Sequence, residues 1–345
     1  MTVAPVAIDA RAAVRREVGG VERVAREMAV RLPALHPERY RVLRPPAPLA
    51  HRAGHAWEQL VLPVAARGSS VLYCPANLAP FAGPRTALVI NDAAAIRHPE
   101  SYSRSYLRWQ QAVLPRLARR ARLVIAPSEF SRREISETLD IAPERIVVVA
   151  HGVSERFSPE AATNRVRAAF GLDRPYVLVV GTRIARKNLH ALADPARRLA
   201  ELGFDLVAAG SGRGYMKAEA GTSARALGYV PEEMLPGLYA GASALAMPSV
   251  YEGFGLPCLE AMASGVPVVA AARAALPETC GDAALLVDPD DGVAIADALV
   301  RAVTDEATRA TLRAAGLARA ATFTWERTAR LTDQAIAGLL DGSRP

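Results

Sequence analysis

Lysine is nearly absent from this chain. Lys187 and Lys217 are the only two in 345 residues, and arginine carries the rest of the positive charge. A lone arginine is therefore uninformative here, and a lone lysine stands out. Cysteine is scarce as well: Cys74, Cys258 and Cys280 lie far apart, with neither metal-ligand spacing nor the density of a disulfide framework. That excludes a disulfide-stapled miniature domain and a cysteine-rich zinc module. No window reaches about 18 uninterrupted apolar residues, and the opening "MTVAPVAIDARAAVRREVGG" turns arginine-rich too early for a secretory leader. The expectation is a cytoplasmic protein with reduced thiols, with peripheral contact at the inner face of a membrane left open.

About half the residues are apolar, and at this length the chain fits two domains of ordinary size rather than one small core. Charge is uneven, since residues 1–170 hold 25 arginines against 15 acidic residues. Nucleic acid is not expected as a partner, because the basic residues are not interleaved with stacking aromatics and no binding module is recognisable.

Short apolar runs ("VAIDA", "VLYCPA", "TALVIND", "RLVIAPS", "RIVVVAHG") alternate with helical-period segments such as Val21 to Leu32. After a polar stretch the pattern restarts with "YVLVVGT", "FDLVAAGSG", "ALGYV", "ALAMPS", "VPVVAA" and "AALLVD". Alternation of this kind reads as α/β, with two Rossmann-like, doubly wound domains facing across a cleft. The expected division is residues 1–165, residues 166–325, and a terminal helix over 326–345 packing back on the first domain. "AAGSGRG", Gly210 to Gly214, lacks the full dinucleotide register and reads as a strand-end turn.

The segment "YEGFGLPCLE" places Glu252 and Glu260 eight positions apart around two glycines and Pro257. A strand ending near Met247, a glycine loop, and a helix begun by Pro257 would leave Glu252 in the loop and Glu260 a turn inside the helix. Backbone N–H groups of Gly253, Phe254, Gly255 and Leu256 would then point outward at a helix N-terminus, an anion site flanked by two acceptors. A nucleoside diphosphate sugar asks for donors to its phosphates, a carboxylate for its ribose and another acceptor for its sugar. The plainer alternative is a dipole-complementing Glu260 beside a solvated Glu252.

"EGFGLPCLEAMASGVPVVA" resembles the E-x7-E motif of the retaining family 4 glycosyltransferases, which have the GT-B fold. That resemblance implies hexosyl transfer from a nucleotide sugar with retention; no metal-ligand cluster is visible in the sequence, so no metal cofactor is expected. In "VVGTRIARKNLHAL" it implies that Arg183 and Lys187 clamp the donor diphosphate, with Glu252 as the third catalytic residue orienting the sugar and Glu260 on the ribose. Tyr229 and Val230 resemble the base-binding edge, and Ser249 belongs to the same donor set. Gly19 and Gly20, in "VGGVERV", resemble a turn near the donor phosphates, which also gives Arg23 some weight; a purely local turn is the alternative.

"YCPANLAPF", "TALVINDAAAIRHPESYS", "APSEFSRREI" and "RIVVVAHGV" resemble segments of the bacterial mannosyl- and rhamnosyltransferases of polysaccharide assembly. Where that subgroup has His-Asp, this chain has Asn91 and Asp92. Asparagine exchanges hydrogen bonds with sugar hydroxyls but cannot take a proton as imidazole does. The departing diphosphate can serve as base in a retaining transfer, so an active enzyme is expected. A catalytically impaired relative, acting as a sugar-nucleotide-binding or scaffold protein, is the competing class. GDP-mannose is the favoured donor, with UDP- and dTDP-sugars open, and the acceptor is a glycan, lipid-linked or small-molecule hydroxyl. Between Arg104 and Arg122, apolar residues at Tyr106, Trp109, Val113 and Leu117 predict a basic amphipathic helix bent at Pro115.

Overall fold

A computed structural model describes residues 5–46, 49–50, 54–212, 214–217 and 223–341. It contains two six-stranded parallel sheets, each within its own compact unit. Parallel strands are covered on both faces, so nearly every residue in them must be apolar. The short runs Val6–Asp9 (β1), Val71–Cys74 (β3) and Leu123–Ala126 (β5) are buried throughout.

The first unit comprises Met1–Ile96, Arg108–Gly152 and Trp325–Pro345. Its sheet runs β2-β1-β3-β4-β5-β6, with β2 at Tyr40–Leu43, β4 at Arg85–Val89 and β6 at Ile146–Val148. Alternation sends Val6 and Ile8 to one face and Ala7 to the other. On the first of these faces lie Val24, Met28 and Leu32 of the Gly20–Leu35 helix, together with Trp325, Ala329 and Ile336 of the Trp325–Leu340 helix. Asp333 secures the latter helix by accepting from the Tyr40 hydroxyl at 2.6 Å and from Arg39 at 2.8 Å.

The second unit comprises Arg97–Leu107 and Val153–Thr324. Its sheet runs β12-β11-β10-β7-β8-β9, with β7 at Tyr176–Val180, β8 at Asp205–Ala209, β9 at Arg225–Gly228, β10 at Ala244–Met247, β11 at Val268–Ala271 and β12 at Leu285–Val287. Both sheets reverse their winding once: between β1 and β3 in the first unit, and between β7 and β10 in the second. Chains leaving the carboxyl ends of such a strand pair diverge, which opens the crevice where open α/β sheets bind ligands.

The basic helix runs unbroken from Arg104 to Arg120, through Pro115. Its buried side chains are Gln110, Leu114, Leu117 and Ala118, so the core-facing stripe is rotated from the expected one. Of the expected positions only Leu117 is buried, while Trp109 meets the His55 ring at 4.9 Å. Among the described residues no helix is long and apolar enough to cross a membrane.

Candidate active site

At the winding reversal of the second unit, β7 and β10 deliver Lys187 and Glu252 to each other. The backbone leaves β7 through Gly181, at φ +142°. Gly210, after β8, shares that φ, and a Cβ on it would stand 2.3 Å from the Gly181 carbonyl oxygen. Glycine alone lets the two strand ends run this close. A 3₁₀ turn over Ala185–Lys187 follows, closed by Asn188 in the left-handed conformation. The Asn188 amide donates to the carbonyls of Pro248 (3.1 Å) and Pro289 (2.8 Å), tying the turn to the loop after β10.

Lys187 is thereby turned inward, with 9% of its surface exposed, and its Nζ forms an ion pair with Glu252 Oε1. Arg186 lies 3.6 Å from the same oxygen and donates to the Tyr251 carbonyl at 2.9 Å. Burial pushes the Glu252 carboxyl up, but Lys187 and Arg186 outweigh it and hold the group below its ordinary value. A narrow crevice beside them is lined by Gly181, Thr182, Lys187, Met247, Pro248 and Ser249, the last fully buried.

Beyond Glu252 the chain turns through Gly253, Phe254 and Gly255. Gly255 takes φ +106°, and a Cβ there would press within 2.8 Å of Leu276. Thr279 donates to the Phe254 carbonyl at 2.6 Å, and Ala275 N–H donates to the Glu252 carbonyl at 3.2 Å. The helix begins at Leu256, which makes Pro257 its second residue instead of its first. Glu260, the fifth, is 3% exposed. Val230 is buried and Tyr229 exposed just after β9, where the Gly228 carbonyl accepts from Gly210 N–H at 2.8 Å.

Arg183 is exposed and makes no ion pair among the described residues. Arg186 is the arginine that approaches Glu252 beside Lys187, and sequence reasoning missed it because arginine is everywhere in this chain. Also missed was the Arg97–Leu107 segment, which belongs to this unit. Ser101, fully buried, accepts from Arg186 N–H at 3.3 Å, and its carbonyl accepts from Lys217 N–H at 3.0 Å. His98 packs against the Tyr251 ring at 4.9 Å.

In the first unit, Gly19 caps the Gly20–Leu35 helix at φ −108°, a conformation open to any residue. Its N–H donates to Glu22 at 3.1 Å, so one of the orphan donors of this helix start is already taken by a carboxylate that Arg15 also approaches at 3.3 Å. Arg23 is buried. After β4, Asp92 accepts from Ala94 N–H at 3.0 Å, while Asn91 bonds to Asn77 and His151.

At the end of β1, Asp9 accepts from Trp57 Nε1 at 2.9 Å, and just beyond it Arg11 pairs with Glu58 at 2.5 Å. Burial pushes the Glu58 carboxyl up to about 7 against the pull of Arg11. A carboxyl raised above its unfolded value of ~4.3 lends stability at low pH and loses it as pH rises through about 7. Glu58→Gln is therefore expected to gain on the wild type between pH 5 and pH 8 by about 3 kcal/mol, read by urea unfolding at both values. An unchanged difference would show that Arg11 keeps Glu58 ionised.

Two Rossmann-like units, each built on a parallel sheet with one winding reversal, make up the GT-B fold. Solved structures share the fold. Sucrose-phosphate synthase from Thermosynechococcus elongatus superposes with a TM-score of 0.76 at 21% identity, covering 99% of this chain and 100% of that one. WaaG, a glycosyltransferase involved in lipopolysaccharide biosynthesis, gives 0.68 at 15% identity, covering 96% and 100%. The family model described as "Glycosyl transferases group 1" matches residues 174–305, and that described as "Glycosyltransferase Family 4" matches residues 71–157. The O-antigen chain mannosyltransferase B of Escherichia coli is 35% identical over 257 residues, spanning 70% of this chain and 67% of that protein. The serotype-specific mannosyltransferase WbdA of Escherichia coli is 29% identical over 289 residues, which is 78% of this chain but 35% of WbdA. The chain belongs to glycosyltransferase family 4.

Proposed function

We propose that this glycosyltransferase moves mannose from GDP-mannose to a hydroxyl of a polysaccharide intermediate, with retention at the anomeric carbon. The observation that carries the reading is the buried Lys187–Glu252 pair at the β7–β10 reversal, beside the Gly253–Leu256 turn. Mannose is favoured by the two mannosyltransferase relatives. Relatives named D-inositol 3-phosphate glycosyltransferase keep a small polyol acceptor in play. Solved structures of Anabaena HepE with UDP and UDP-glucose make UDP the base to test against GDP.

Departure of the nucleoside diphosphate builds negative charge on its β-phosphate, and fixed cations stabilise that change in a site cleared of water. Lys187 and the backbone of the Gly253–Leu256 turn are assigned this stabilisation, with Arg183 reaching in from its exposed position. Before the donor arrives, Glu252 neutralises Lys187, so the buried ammonium needs no other counter-ion. Glu252 then orients the donor sugar, Glu260 takes the ribose hydroxyls, and Ser249, Tyr229 and Val230 complete the nucleotide contacts. Gly19, Gly20, Asn91 and Asp92 are assigned to the donor on the family resemblance. The acceptor hydroxyl attacks from the face the diphosphate leaves, which takes up the proton.

A nucleotide at about 100 times its dissociation constant adds roughly 2.7 kcal/mol of stability. Thermal denaturation is expected to rise most with GDP among GDP, UDP and dTDP, and proton NMR of the product should show the donor's anomeric configuration. Glu260→Ala is expected to weaken the nucleotide about 10- to 100-fold by calorimetry, the scale of losing hydrogen bonds to a charged group. No shift with any nucleotide would favour the scaffold class, and an inverted product would end the retaining assignment.

A further inference from the structure

We infer that His151 is a positioning residue that locks the side-chain amide of Asn91 in one orientation. The inference rests on the reading that Asn91 faces the donor sugar. Three loops meet here at the carboxyl edge of the first unit's sheet: Asn77 follows β3, Asn91 follows β4 and His151 follows β6.

The hydrogen bonds determine one another. Asn77 is held at φ +62°, and its Oδ1 accepts the Asn91 backbone N–H at 2.8 Å. That backbone donor identifies the Asn77 atom as oxygen, whatever amide flips are considered. The Asn91 atom 2.9 Å from the same oxygen must then be the donor Nδ2. Asn91 Oδ1 is thereby directed at His151 Nε2, 2.9 Å away, and an acceptor there requires that Nε2 carry the imidazole proton. The Asn91 carbonyl accepts from the Ser131 hydroxyl at 2.8 Å, in the Glu129–Leu139 helix that follows β5, so backbone and side chain are pinned by residues that follow three other strands.

Asn91 remains half-exposed, with one Nδ2 hydrogen and one Oδ1 lone pair uncommitted by these bonds. A sugar hydroxyl can accept from the first and donate to the second. A free amide would flip between two such arrangements, whereas this one offers a single arrangement. His151 is 4% exposed and burial lowers its pKa to about 4, so it stays neutral near pH 7. With its Nε2 proton given to Asn91, its part is orientation, not proton transfer.

The test is a double-mutant cycle read both as transfer rate and as donor affinity by calorimetry. His151→Phe removes the donor and is expected to lower kcat/KM about 3- to 10-fold, the scale of one net hydrogen bond. His151→Gln keeps an N–H and should recover most of that loss. In an Asn91→Ala background, His151→Phe should cost nothing further. Losses that add would overturn the lock, since His151 would then act by another route. Independently of turnover, ¹⁵N spectra of histidine-labelled protein at pH 7 should show His151 protonated at Nε2, with its signal shifted by Asn91→Ala. Protonation at Nδ1 would overturn the inference. A wild type that turns over no nucleotide sugar while the spectrum still shows the Nε2 proton would instead count against the functional reading: the hydrogen bond would stand and its catalytic purpose would fall.

Discussion

Replacing Lys187 with alanine is expected to cut turnover about 10²- to 10³-fold, the scale for losing one preorganised group that meets charge developing in the transition state. The loss should fall on kcat more than on KM, because the charge on the β-phosphate grows as the glycosidic bond breaks. Stability should suffer too. Among the described residues Glu252 would keep Arg186, 3.6 Å away, as its close cation, and removing one partner of a buried pair costs about 3–5 kcal/mol. The two losses are separable through pH. In the wild type the Glu252 carboxyl is depressed, so the stability it contributes is present above ~4.3 and fades as pH falls through its folded value. Without Lys187 burial dominates, the carboxyl is raised, and the variant loses stability as pH rises instead. Steady-state rates and urea unfolding from pH 5 to 8 check both. Unaltered turnover would remove Lys187 from the diphosphate, and an unaltered pH slope would show that Arg186 alone holds Glu252 ionised.

The visibility of Lys187 in the sequence is an accident of composition. In a chain that uses arginine everywhere, a retained lysine signals a site that wants a compact ammonium. Arg186 reaches the same carboxylate and passes unnoticed among the arginines. Strands were legible for a related reason: burial on both faces makes "VLYC" or "LVIA" apolar from end to end. β2, "YRVL", was overlooked because only Tyr40 is buried in it. On the Arg104–Arg120 helix, aromatic residues suggested the wrong stripe. Large rings such as Tyr106 and Tyr215 stack on each other at 4.4 Å, while the smaller Leu114 and Ala118 face the core. Nothing local could have shown the Asn77–Asn91–His151 chain of bonds. It joins the ends of three strands, and only the sheet order brings them together.

Gly210→Ala should be among the most damaging single changes outside the reacting groups. The added Cβ would sit 2.3 Å from the oxygen and 2.7 Å from the carbon of the Gly181 carbonyl, so backbone, not a flexible side-chain tip, must yield. Overpacking of this kind costs about 1–3 kcal/mol, and holding an L-residue at φ +142° adds about 1–3 kcal/mol. Against a total stability of about 5–15 kcal/mol, that is a large share. Any relief must move Gly181, whose N–H bonds to the Ala209 carbonyl at 2.9 Å and whose Cα faces the Lys187 side chain. Activity should therefore fall further than the folded fraction does. Two neighbouring glycines separate the causes. Gly228→Ala meets open space but keeps a positive φ, +71°, and should show the conformational cost alone. Gly212→Ala meets open space at an ordinary φ and should lie within about 0.5 kcal/mol of the wild type. Urea unfolding of the three variants should rank them Gly210, Gly228, Gly212 in order of loss. If Gly210→Ala were no worse than Gly228→Ala, the close approach of the two strand ends would not be what holds Lys187 in place.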